Sequence, residues 1–136
     1  MGNEIMELKE SALAILRNAR DMIDDSSSWI QGPIAEDEQG NEVAPYSESA
    51  CAWCAYGALH GALNAMFPNF KDFANPRYSR EINVATLAEQ RLENAIEYLT
   101  GGAFNRVTWF NDDKETEHAD VLDAFNGAID ELERGN

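Results

Sequence analysis

The chain has 136 residues, of which 44% are hydrophobic and 26% are charged, a composition typical of one globular domain. It carries 25 Asp and Glu against 10 Lys and Arg, which gives a formal net charge of -15. Nucleic-acid binding depends on Lys and Arg that displace counterions from phosphates, so this charge argues against direct binding to DNA, RNA or an anionic membrane. It favours a basic protein surface as the partner, although the same charge also serves solubility.

Residues 49–70 contain no charged side chain, and their number would allow a membrane span. Their Ala- and Gly-rich composition, with His60, Asn64 and Pro68, predicts instead a central helix that is buried on most sides. The first residues lack the basic and apolar regions of a signal peptide. We therefore expect a cytoplasmic protein without a membrane segment.

The first half of the chain predicts two helices. One covers about residues 4–25, where apolar residues recur at helical spacing. The other covers about residues 48–67, with Ser47 as its N-cap and Pro68 as its stop. Between them, residues 33–44 read as a small β-hairpin or a polar loop around a Gly-Asn turn.

The second half predicts two more helices. Asn83 caps a helix to about residue 100, which ends at Gly101-Gly102, and Asp112 caps a helix that starts near Asp113. Residues 70–82 are expected to fold over the core, and residues 103–110 to form a short extended segment. The predicted fold is mainly α, a compact bundle of about four helices with a small β-hairpin between the first two. It forms a single acidic domain over residues 1–136.

Several short motifs resemble those of a family of small bacterial and phage proteins of unknown function. Residues 53–59 (WCAYGAL) are similar to its W-C-A-x-G-A-L core, and residues 29–32 (WIQG) to an earlier segment. Residues 110–112 (FND) and 118–121 (HADV) are similar to its W-N-D…H-A-E-V motif, with Phe110 in place of the usual Trp. The resemblance implies no established activity. Its phage members raise the expectation of a host-interaction or counter-defence role.

Cys51 and Cys54 form a C-x-x-C pair near the start of a predicted helix, where a thiolate would be stabilised. Thioredoxin-like chemistry needs a βαβ context, which this sequence lacks. Zinc would need two further ligands, and the spacing of His60 and His118 from the cysteines fits no standard finger. We therefore expect two reduced core cysteines, with no metal and no cofactor.

A polar constellation in the last third of the chain could line a pocket, with His118 as a base. Asn and Asp just before a helix are, however, what helix capping selects, and we expect that role here. The sequence has no G-x-S-x-G, P-loop or H-E-x-x-H motif. The alternative function is a small-ligand binder or small enzyme with a pocket around Trp53, Cys54, Asn111, Asp112 and His118.

From residue 112 onward, acidic residues far outnumber basic ones. Asp113, Glu117 and Asp120 share one helical face, and Asp123 extends it. We take these four as the candidate partner-binding face. The leading prediction is a non-enzymatic protein-interaction module, a phage-type inhibitor. It would bind a basic, nucleic-acid-handling host defence protein in the manner of a DNA mimic.

Overall fold

The computed structural model describes residues 2–135, with side chains from Met6 onward. Within that range the chain forms five α-helices and one two-stranded antiparallel sheet, which confirms the mainly α fold with a small β element. The helices are α1 (Gly2–Met22), α2 (Ala55–Met66), α3 (Ser79–Leu99), α4 (Val107–Asp112) and α5 (His118–Glu133). The strands β1 (Ala35–Glu36) and β2 (Ala52–Trp53) lie between α1 and α2 in the chain. None of the described helices is both long enough and apolar enough to cross a membrane.

The core lies where α1, α3 and α5 pack against one another and α2 packs against α1. Helices α1, α3 and α5 each bury one apolar stripe at helical spacing and leave the opposite face in solvent, whereas α2 is buried on most sides and exposes only Ala65. The largest fully buried side chains include Leu16 of α1, Leu63 of α2, Leu92 of α3 and Phe125 of α5. Burial of such a side chain stabilises the fold by roughly 1.5–3 kcal/mol.

The second helix begins at Ala55, so the prediction of a helix from residue 48 with Ser47 as N-cap was wrong. Trp53, which precedes it, pairs as a strand residue with Ala35. Cys54 is the N-cap, and its Sγ accepts a hydrogen bond from the Gly57 backbone at 3.3 Å. Long-range strand pairing has therefore overridden the local helical pattern.

Gly57 allows α2 to approach the loop before β1. A Cβ atom at this position would lie 1.9 Å from the carbonyl oxygen of Ile34. The same carbonyl accepts a hydrogen bond from the Cys54 backbone at 3.1 Å. Any larger residue at position 57 would therefore force the start of α2 away from this loop.

The third helix begins at Ser79, four residues before the predicted N-cap Asn83, and its C-terminal end is as predicted. Gly101 and Gly102 follow with φ angles of 60° and 89°, where glycine is favoured. The segment before α3 only partly follows the prediction that it covers the core. Phe70 is buried there, but Phe73 is 50% exposed.

The region before the last helix differs from the prediction of an extended segment and an Asp112 N-cap. Residues 107–112 form α4, because one helical turn buries Val107 and Phe110 on the same side. Glu117 caps α5, and its backbone N–H donates to Asp120 Oδ2 at 2.9 Å. The capping spacing that was assigned to Asp112 therefore occurs five residues later.

Candidate functional site

Asn111 is fully buried at the end of α4 and joins three segments of the chain. Its Oδ1 accepts hydrogen bonds from Trp29 Nε1 at 2.6 Å and from the Ala55 backbone at 2.9 Å. Its Nδ2 donates to the Ile30 carbonyl at 3.1 Å and to Asp112 Oδ1 at 2.9 Å. An amide side chain has two donor hydrogens and two acceptor lone pairs, so all of its capacity is used.

The loop after α1 is tied to α4 by further bonds beside this amide. Asp112 Oδ1 accepts a hydrogen bond from the Gly32 backbone at 2.9 Å. Gln31 Nε2 donates to the carbonyls of Asn111 and Asp113 at 3.0 and 2.8 Å. The motif residues of the sequence therefore meet in space, and their side chains link the backbone of the loop after α1 to the backbones of α2 and α4. We call the following residues the motif network: Trp29, Gln31, Gly32, Asn111 and Asp112.

The other residues of the predicted pocket also bond within the chain. A ring nitrogen of His118 lies 2.6 Å from the Ile23 carbonyl oxygen, and its ring centroid is 6.0 Å from that of Trp29. Trp53 Nε1 donates to the Pro45 carbonyl at 3.0 Å, away from the motif network. A ligand pocket at these residues stays a prediction, and the complete bonding of the central amide argues against it.

The two cysteines have different environments. Cys54 is buried, and its burial raises the pKa of the thiol above the ordinary value, which favours the protonated form. Cys51 is exposed, so the prediction of two core cysteines holds for Cys54 and was wrong for Cys51. Among the residues that the structure describes, no group of three or more His, Cys, Asp or Glu is placed to hold a metal ion.

Three of the four residues of the predicted partner-binding face, Asp113, Asp120 and Asp123, line one groove of about 310 Å³. Glu117 is exposed but serves as the N-cap of α5. We call this groove, between the C-terminal end of α3, α4 and the start of α5, the acidic groove. Its apolar residues are Leu99, Phe104 and Phe110, and its other lining residues are Thr100, Glu115 and Thr116.

A second groove of about 430 Å³ continues along the seam between α3 and α5 and shares Leu99 with the first. Tyr98 and Leu99, on its α3 side, are 87% and 48% exposed. Asp130 and Glu131 line its α5 side. This end of the bundle therefore combines exposed apolar side chains with carboxylates and with Arg134, which pairs with Asp130.

A cleft of about 460 Å³ between α2 and α3 contains titratable residues that the sequence did not single out as a site. Tyr56 and His60 of α2 face Glu89 and Glu93 of α3 across it, and Phe73 closes one side. Two sequence signals were available, since each of these pairs has the i, i+4 spacing of one helical face. Nothing in the sequence indicated that the two faces meet.

The fold and these surfaces define a small helical domain with an acidic, apolar-floored groove and a separate interhelical cleft. The chain belongs to a family of unknown function (DUF6197), whose family model matches residues 8–131. No curated protein and no solved structure matches the chain.

Proposed function

We propose that this domain is a protein-interaction module that binds a basic protein surface through its acidic groove. One observation carries the proposal. Asp113, Asp120 and Asp123 surround a groove whose floor includes Leu99 and Phe104, so that charge and apolar surface coincide.

The groove has the chemistry to receive Lys or Arg together with an apolar anchor. Long basic side chains can lay their methylene stems on the floor while their charged ends reach the carboxylates on the rim. Rim carboxylates act mainly by steering a basic partner into place, whereas burial of Leu99 and Phe104 would slow its dissociation. The formal net charge of -15 extends the steering field beyond the groove itself.

Among basic partners, we propose a protein that handles nucleic acid. Such a protein presents Lys and Arg arranged to hold phosphates, and an acidic domain can occupy the same surface as a DNA mimic. The motif resemblance to phage and bacterial proteins supports a host defence protein as the target and inhibition as the outcome. Nucleic acid should then compete with the domain for its partner.

Charge reversal at the groove tests the proposal. The variant Glu115→Lys/Asp123→Lys changes two carboxylates of the groove and leaves the α5 capping pair Glu117 and Asp120 intact. The partner is captured from lysate of the source cells, and its association rate with each variant is measured. We expect association to slow by about tenfold or more, because steering fields change on-rates by that order.

The matched control is Glu38→Lys/Glu48→Lys, which makes the same charge change at exposed residues that do not line the groove. We expect it to change association much less. Binding by the unchanged protein should weaken steeply from 0.1 to 1 M salt, as the Debye length falls from about 10 to about 3 Å. If the two variants slowed association equally, or if binding did not depend on the salt concentration, the acidity would serve solubility only.

A further inference from the structure

The cleft between α2 and α3 has an apolar floor and an opening to solvent. Its volume of about 460 Å³ lies within the range of small-molecule sites. The floor is formed by aliphatic side chains from three helices: Ile15, Leu59, Leu63, Ala85 and Ala88. Such a floor provides apolar contact but does not by itself select a ligand.

One wall of the cleft is aromatic. The ring centroids of Tyr56 and His60 are 4.3 Å apart, and those of His60 and Phe73 are 5.6 Å apart. Burial lowers the pKa of His60 below its ordinary value, which favours the neutral imidazole over the positively charged one. The faces of Tyr and Phe rings carry partial negative charge, which attracts cations.

The opposite wall carries two carboxylates, Glu89 and Glu93, one helical turn apart on α3. Burial raises the pKa of both side chains, and the charge of Glu93 raises that of Glu89 further. Arg106 opposes these shifts, but neither carboxylate forms an ion pair within 4.0 Å among the described residues. No Lys or Arg is among the residues that line this cleft.

We propose that this cleft binds a small organic cation with a primary ammonium or guanidinium group. The cation would lie against Tyr56 and Phe73 and pair with Glu89 and Glu93, while its carbon chain rests on the apolar floor. An anion is disfavoured because the two carboxylates would repel it. A divalent metal ion is disfavoured because no group of at least three suitable side chains is placed to hold one in the described part of the chain.

A neighbouring cleft of about 640 Å³ shares Tyr56, His60 and Phe73 with the first. It adds the neutral amide of Asn64 and the positively charged ammonium of Lys71, where the first cleft has carboxylates. A ligand that is longer than one ammonium group can therefore extend past the aromatic side chains. The positive charge of Lys71 would repel a second ammonium group there, so a diamine would place both of its charged groups near Glu89 and Glu93 in the first cleft.

The experiment is a titration of the whole chain with the four-carbon diamine putrescine at about 0.15 M salt, followed by calorimetry and amide NMR shifts. We expect a dissociation constant of about 1 mM or tighter and shifts centred on Tyr56, Phe73 and Glu89. Butanediol, which has the same carbon chain without charge, should bind at least about tenfold more weakly. Equal binding of the diol would overturn the proposal.

The variant Glu89→Gln/Glu93→Gln should weaken putrescine binding at least about tenfold. The matched control also removes two carboxylates of the same helix, Glu97 and Glu81, neither of which lines the cleft. A loss of the same size in this double control, Glu97→Gln/Glu81→Gln, would assign the binding to the overall charge and overturn the proposal.

A short peptide with one lysine distinguishes a side chain of a partner from a free amine. Tighter binding of the peptide than of putrescine would overturn the assignment to a small molecule.

Discussion

The motif network and the cleft between α2 and α3 use polar side chains in opposite ways. In the motif network, Asn111 is completely buried and both of its polar atoms have two partners each. In the cleft, Glu89 and Glu93 are partly buried and have no ion pair within 4.0 Å among the described residues. The amide of the motif network has all of its hydrogen-bond partners, whereas the two carboxylates of the cleft would gain an ion pair from a bound cation.

This difference separates residues that hold the fold from residues that are open to a ligand. A buried polar group with all its bonds made contributes to stability, and removal of any partner is costly. A partly desolvated charge without a partner costs stability, and such groups are concentrated at functional sites. Asn111 of the motif network is a buried group with all its hydrogen bonds made. The carboxylates of the cleft are partly buried charges without an ion pair among the described residues.

The largest expected effect is that of Asn111→Ala. It would leave Trp29 Nε1, the Ala55 N–H and the Ile30 carbonyl without their partner. Each unsatisfied buried group costs roughly 1–3 kcal/mol. We therefore expect the free energy of unfolding, measured in urea, to fall by about 3 kcal/mol or more. Asn94→Ala is the control, because Asn94 is exposed on α3. A loss below about 1 kcal/mol would contradict the structural role of the motif network.

A smaller but still large effect is expected for Gly57→Ala. The new Cβ would meet the Ile34 carbonyl at 1.9 Å, and overpacking typically costs about 1–3 kcal/mol. Gly127→Ala is the matched control in α5, where the new Cβ would lie 3.5 Å from the Cβ of Ala95. There the gain in helix propensity should stabilise the chain by up to about 1 kcal/mol. The melting temperatures of the two variants should therefore shift in opposite directions, and an unchanged or raised melting temperature for Gly57→Ala would contradict the close contact at Ile34.

The smallest effect is expected for Glu89→Gln/Glu93→Gln, and its sign is the reverse. A carboxyl whose pKa is raised in the folded state destabilises the fold increasingly as the pH rises above its unfolded pKa, and the penalty is complete above the raised pKa. The penalty is absent at lower pH, where both the folded and the unfolded chain are protonated. The variant should therefore melt at a higher temperature than the unchanged protein at pH 7, and the difference should vanish at about pH 3.

Glu97→Gln controls this measurement, because it removes the charge of an exposed carboxylate from the same helix. We expect it to change the melting temperature less than the cleft variant at pH 7. A lower melting temperature for Glu89→Gln/Glu93→Gln would mean that the two carboxylates have stabilising partners. The comparison between the motif network and the cleft would then fail.

The sequence correctly predicted those helices and helix ends that depend on residues close together in the chain. Apolar spacing located α1 and α3, and Gly101-Gly102 located the end of α3, because left-handed backbone conformations favour glycine. The start of α2 was wrong because Trp53 pairs with Ala35, a contact that no helical pattern encodes. Asp112 was wrong as a cap for a related reason, since its carboxylate bonds to Gly32, eighty residues away in the chain.

The candidate sites divide in the same way. The sequence by itself determined the strong acidity and singled out Asp113, Asp120 and Asp123. The single helical face predicted for Asp113, Glu117 and Asp120 was wrong, because α5 begins only at His118. Only the tertiary structure decided that these carboxylates surround an apolar groove and that His60 faces Glu89 across a cleft. The physical reason is that helical periodicity fixes which residues share a face, whereas the packing of one helix on another fixes which faces meet.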